Sequence, residues 1–157
     1  PGAPASATAS QAIGVTIEPG PLVLVREPAK VVLRRVPGTS TFRATFRDLR
    51  LTDARGIRNG WKVELAVTSI RTEQGWRPVH RPVWLSARVQ RVVAMAASTR
   101  GLRATTPSGF APRTPVRVVS AARGTGNGSF DVTMELVAKL PTVHAKSVVA
   151  DLSFALT

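Results

Sequence analysis

The sequence predicts an all-β chain, and three observations carry that expectation. Apolar and polar residues alternate with a period of two, as where Trp61, Val63, Leu65 and Val67 face Lys62, Glu64, Ala66 and Thr68 across a strand. Twelve Pro and twelve Gly cut these segments at spacings typical of stacked strands. Helical periodicity is nearly absent. Its best stretch, Val92 to Ser98 with Ala94, Ala96 and Ala97, is too short to hold a helix unaided. Together these features predict a two-layer antiparallel β-sandwich, Ig-like in general architecture.

The elements follow in order. Residues 1–12 form an arm and residues 13–157 a single domain, a size that buries roughly 70% of the unfolded surface without a staple. Ile13, Val15 and Ile17 make the first alternating segment. Leu22 to Arg26 and Lys30 to Val36 come next, divided by Glu27-Pro28. Thr41 to Leu51 points Phe42, Ala44 and Phe46 inward, and its phase slips before Leu49 and Leu51. A β-bulge near Arg47-Asp48 accounts for that slip. Trp61 to Ile70 opens on tryptophan, and a loop then carries Trp76-Arg77-Pro78. Val83 to Val89 sets Val83, Leu85, Ala87 and Val89 against Trp84, Ser86 and Arg88. Gly101 to Pro115, with two Gly and three Pro, reads as a long loop before a short strand, Val116 to Ala121. The last two strands turn Phe130, Val132, Met134, Leu136 and Ala138, then Val148, Ala150, Leu152, Phe154 and Leu156, toward the core.

Composition bounds the chemistry. There is no cysteine, so disulfides, thiolate metal sites and cysteine nucleophiles are excluded. No apolar run approaches the roughly 20 residues that span a bilayer as a helix. Pro1 to Gln11 is almost entirely Pro, Ala, Ser, Thr and Gly, a composition common around signal-peptide cleavage points. The expected location is therefore extracellular or on the cell surface. The net charge of +13, from 18 Arg and 4 Lys against 9 acids, favours anionic partners. The basic residues are dispersed, however, and only Arg34-Arg35 are adjacent. A diffuse attraction or a solubilising role fits better than a specific nucleic-acid site.

Two motifs stand at matching places in the two halves. Leu51-Thr52-Asp53-Ala54-Arg55-Gly56 leads to Gly60-Trp61-Lys62-Val63. Near the end, Gly124-Thr125-Gly126-Asn127-Gly128 is followed by Leu140-Pro141 and then by Phe154-Ala155-Leu156. Their order and spacing resemble the WxL domain of Gram-positive bacterial surface proteins, over about Ala12 to Thr157. Val63 stands where that family has Leu, and Phe154 where it has a second Trp. The resemblance implies a secreted, non-catalytic β-sandwich at the cell surface, often associated with peptidoglycan. It places Asp53, Gly60, Trp61, Val63, Phe154 and Leu156 in motifs that are mostly core.

No constellation for catalysis is legible. His80 and His144 lack partners at metal-ligand spacing. Asp48 and Asp53 could be imagined as a glycosidase pair, but Asp53 sits in a turn, where a carboxylate usually accepts backbone N–H bonds. Gly124 to Gly128 leads into a strand, so it is a turn and not a phosphate cradle at a helix N-terminus. Neither an enzymatic activity nor a cofactor or metal is expected. Trp76 and Trp84, with Arg77 and Arg88, are candidates for contact with sugars, bases or a neighbouring subunit. Asn127-Gly128-Ser129 is a glycosylation sequon.

Three functions compete. The first is a structural surface protein that assembles with copies of itself as a fibre or layer, Ile13, Val15 and Ile17 adding as a strand to a neighbour's sheet. The second is a monomeric WxL-like module binding peptidoglycan or anionic cell-wall polymers. The third is nonspecific nucleic-acid binding, which a chain without Tyr and with Phe mostly in core phase suits least.

Overall fold

Ten strands in one antiparallel sheet, with order β6-β8-β4-β10-β2-β3-β9-β5-β7 and β1 beside β3, make up the fold of this computed structural model. It describes residues 2–3, 18–56, 59–72, 83–95 and 97–157. Strands occupy 64% of the described residues, with no helix among them. They are β1 (Leu22–Arg26), β2 (Lys30–Arg35), β3 (Thr41–Asp53), β4 (Trp61–Thr72), β5 (Trp84–Met95), β6 (Leu102–Ala104), β7 (Ser108–Phe110), β8 (Val116–Ala121), β9 (Gly128–Lys139) and β10 (Ser147–Leu156). The sheet curls over its own apolar face into a half-barrel.

Strand β2 is the hinge of the curl. It pairs with β10 from Lys30 to Arg34, but with β3 only at Arg34↔Arg43 and Arg35↔Phe42. On one side lies the arm β6-β8-β4-β10, and on the other β3-β9-β5-β7. The two arms meet across the core. Phe46 of β3 sets its ring edge-on to Phe154 of β10 at 6.4 Å, and Trp61 of β4 tilts against Phe130 of β9 at 5.8 Å. Aromatic pairs at such separations add to the burial they accompany.

Bulges supply the curvature. Strand β9 is regular, but both neighbours carry an extra residue where they pass Thr133. Strand β3 does so between Phe46 and Leu49, and β5 at Gln90. Strand β4 carries one at Thr68 opposite β10, and β8 one at Val118 opposite β4. Each bulge bends its strand and increases its twist. Each also resets the side-chain phase, which is how Val118 and Val119 are both buried and how Ile70 returns to the core after Val67.

The expected bulge at Arg47-Asp48 is present, and the inward rows of β3, β4 and β9 are buried as the alternation required. Two expectations need correction, and β5 runs further than the expected Val83 to Val89: Val92 to Met95 continue the strand, because past Gln90 the alternation resumes. Val92 and Ala94 pack against the core while Val93 and Met95 pair with Asp131 and Ser129. The supposed loop Gly101 to Pro115 contains β6 and β7, whose backbone partners lie far along the chain in β8 and β5. In β10, Phe154 and Leu156, expected in the inward row, are only partly buried, while Val149 on the opposite face is covered. Ile13, Val15, Ile17, Trp76, Arg77 and His80 lie outside the described residues.

Core energetics concentrate on β9, where Phe130, Val132, Met134, Leu136 and Ala138 are all fully buried. Phe130→Ala is expected to cost about 3–5 kcal/mol by urea unfolding, and Trp84→Ala, at half-exposed Trp84, under about 0.5 kcal/mol.

Candidate functional site

Two features stand out on this scaffold: a polar knot at one end of the core, and a sheet margin that no described strand fully covers. The knot is built where β3 ends and β4 begins. Asp53, the last residue of β3, is the one buried acidic residue among those described. Its Oδ1 accepts a bond from the Arg55 backbone N–H at 3.1 Å and another from Arg55 Nε at 2.9 Å, while Oδ2 accepts from Arg55 Nη2 at 2.9 Å. The same Nη2 donates to the Gly60 carbonyl at 2.8 Å, closing the turn onto the start of β4. Hydrogen bonds from the Arg55 guanidinium hold the Asp53 carboxyl below the usual carboxylate range, against the opposing effect of burial.

Trp61 completes the knot. Its indole N–H donates to the Gly126 carbonyl at 2.8 Å, tying β4 to the turn before β9. Both glycines are required there. Gly60 has φ +71°, and a Cβ on it would run into the Ala121 carbonyl oxygen. Gly126 has φ +83°, and a Cβ would strike Ala121 and the indole. Asp53, Gly60, Trp61 and Val63 are thus brought together, with Phe154 and Leu156 packed on the core edge. The turn-capping role expected for Asp53 is found. Arg55, its main partner, was not singled out, although an Asp two residues before an Arg in a Gly-rich turn is a legible signal.

Three further acids are engaged by side chains of neighbouring strands. Asp131 receives both Arg50 Nε at 2.6 Å and Nη2 at 2.7 Å, and Arg50, with Arg26 nearby, holds its carboxyl low. Asp151 accepts from the Ser69 hydroxyl at 2.5 Å and from Arg71 Nη2 at 3.3 Å. Glu135 lies 3.7 Å from Arg43 Nε and accepts from Gln90 Nε2. Among the described residues no three of His, Asp and Glu gather closely enough to hold a metal ion. His144 and Asn127 are exposed.

The open margin belongs to β5. Strand β7 covers it only at Leu85 and Ser86, with one further bond from the Ala87 N–H to the Pro107 carbonyl at 2.9 Å. From Arg88 to Met95 no described strand pairs with its far side. Val93 and Met95 point outward there, 39% and 43% exposed. Trp84, at the strand's start, and Arg88 are exposed, and among the described residues Trp84 stacks on no other ring. The opposite margin of this panel is β1, paired among the described strands with β3, where Val23 and Val25 are exposed. Outer-face rows run Met95–Ser129–Thr52–Val23 and Val93–Asp131–Arg50–Arg26 between the two margins.

Comparisons with protein-family models, with curated proteins and with solved structures gave no match for the chain. The site is therefore read from its own geometry.

The knot predicts a pH dependence. Asp53 has a folded-state pKa below its unfolded value of about 3.9, so its contribution to stability is complete above that pH. It is lost as the pH falls through the folded value. Asp53→Asn is expected to cost about 1–3 kcal/mol near pH 7. Its deficit should shrink in urea unfolding as the pH is lowered below the unfolded value, because the wild-type carboxyl then loses its advantage.

Proposed function

We propose that this chain is a secreted, non-catalytic structural protein of the cell surface that assembles with copies of itself. The observation that carries the reading is the half-covered edge of β5. A strand whose far side no described strand pairs beyond Ser86, with outward Val93 and Met95, is a template for a further strand. The donor in this reading is the alternating segment Ile13, Val15 and Ile17 of a neighbouring copy. That segment lies just upstream of β1, which begins at the opposite margin of the same panel. Donation from one margin to the other is head-to-tail, which generates a fibre when the rotation does not close.

Several features support a non-catalytic reading. Asp53 and Asp131 are held ionised by arginine, which suits structure and not proton donation. In this view the two arms of the curled sheet face each other across the core as the two layers of an Ig-like sandwich. Export rests on the small-residue composition of residues 1–11. A second reading, the WxL-like module that binds peptidoglycan or anionic wall polymers, rests on the motif residues and on an arginine-lined cleft described below.

Assembly is tested by sedimentation velocity across a concentration series. The wild-type chain is expected to form larger species as concentration rises. Val93→Lys with Met95→Lys, and separately deletion of residues 1–17, should return it to monomer. Because both side chains are exposed, the double substitution should change stability by no more than about 1 kcal/mol. A wild-type chain that stays monomeric at its highest soluble concentration would contradict the proposal.

A further inference from the structure

We infer that the outer face of β4, β6 and β8 carries a binding site for phosphate groups, with a linear phosphate-bearing polymer as the ligand the open shape favours. This inference does not depend on assembly. A cleft of about 500 Å³ opens beside the knot, lined by Arg55, Asn59, Lys62, Arg103, Arg117 and Ser120 among others, with no Asp or Glu in its described lining. Strand register builds it. Arg103 of β6 sits opposite Ser120 of β8, and Ser120 opposite Lys62 of β4, so one row crosses three strands. At about 4.8 Å per strand, Arg103 and Lys62 stand roughly 10 Å apart at the backbone. Their long side chains, with Arg117 one step along β8, can close on a group between them.

The cations differ in availability. Arg55 is committed to Asp53 and the Gly60 carbonyl. Lys62 Nζ lies 3.2 Å from Glu64 Oε1, on the rim, and Arg117 is the strand partner of that same Glu64. Neither Arg103 nor Arg117 forms an ion pair with a described carboxylate, in contrast to Arg43, Arg50, Arg55 and Arg71. Two guanidiniums, an ammonium, a hydroxyl and an amide therefore surround one open cleft. Several donors arriving from different strands suit an oxyanion with three or four acceptor oxygens and up to two charges. A carboxylate would be satisfied by one guanidinium fork alone. A second hollow, about 330 Å³ between β5 and Pro107, brings Arg88 together with Glu135 and so offers no net charge.

The test is calorimetric titration at fixed ionic strength with inorganic phosphate, short-chain polyphosphate and poly-glutamate. Polyphosphate and phosphate are expected to bind the wild-type chain, and tighter binding of the chain form marks a polymer as the source over the free ion. Arg103→Gln with Arg117→Gln should weaken polyphosphate binding about tenfold or more. The matched control, Arg34→Gln with Arg47→Gln on surface away from the cleft, should weaken it less than about twofold. Glu64→Gln, which removes the competing carboxylate, should tighten binding and gives a readout free of any loss of fold. Equal losses in the two double variants, or poly-glutamate binding as tightly as polyphosphate, would reduce the effect to net charge and overturn the site.

Discussion

A single continuous sheet that must cover its own apolar face sets the terms for the whole molecule. No helix among the described residues shields the inner rows of β3, β4, β9 and β10, so one arm of the sheet has to become the lid of the other. That requires sharp bending, and a regular sheet twists only gradually between neighbours. The bulges in β3, β4, β5 and β8 provide the bend. Two of them flank the same residue of β9, so the bend runs across neighbouring strands instead of being confined to one. The narrow connection through β2 lets the arms fold over without breaking the ladder. Arg35 fixes that connection, donating to the Thr39 and Val143 carbonyls and lying over the Phe42 ring.

Closing the arms leaves polar backbone at one end of the core, and the knot answers that need. A carboxylate buried at the end of β3 would be costly alone. Here it is neutralised by an arginine two residues later, which also satisfies the Gly60 carbonyl. The Trp61 indole then fills the end of the core and meets the Gly126 carbonyl. Asp53, Arg55, Gly60, Trp61 and Gly126 therefore work as one lock between β3, β4 and β9. The residues of the motif act on packing and turn geometry, and the arginine-lined cleft lies next to them on the outer surface.

Function, in this account, lives on margins and outer rows. Among the described residues the curl leaves β5 covered for only part of its length, and an exposed edge is a surface that soluble proteins ordinarily protect. The same curl gathers arginines from β6 and β8 beside Lys62 of β4. Charge that is scattered along the chain becomes local only after the strands are laid side by side, which is why a net charge of +13 says so little by itself about where an anion would bind.

Period-two alternation was enough to place most strands, their inward rows and even the β3 bulge, because side-chain direction in a strand is fixed locally by the pleat. Asp53, Gly60 and Trp61 were legible for the same reason: turn residues and a strand-opening aromatic act within a few positions of themselves. The rest depended on partners distant in sequence. Three-residue strands such as β6 and β7 have no pattern long enough to read and exist because β8 and β5 supply their hydrogen bonds. Val92 to Met95 became strand because β9 runs beside it. Whether the sheet would be one or two, which edge would stay open, and that Lys62, Arg103 and Arg117 would share a cleft were settled by register between strands, a long-range quantity that local residue order does not contain.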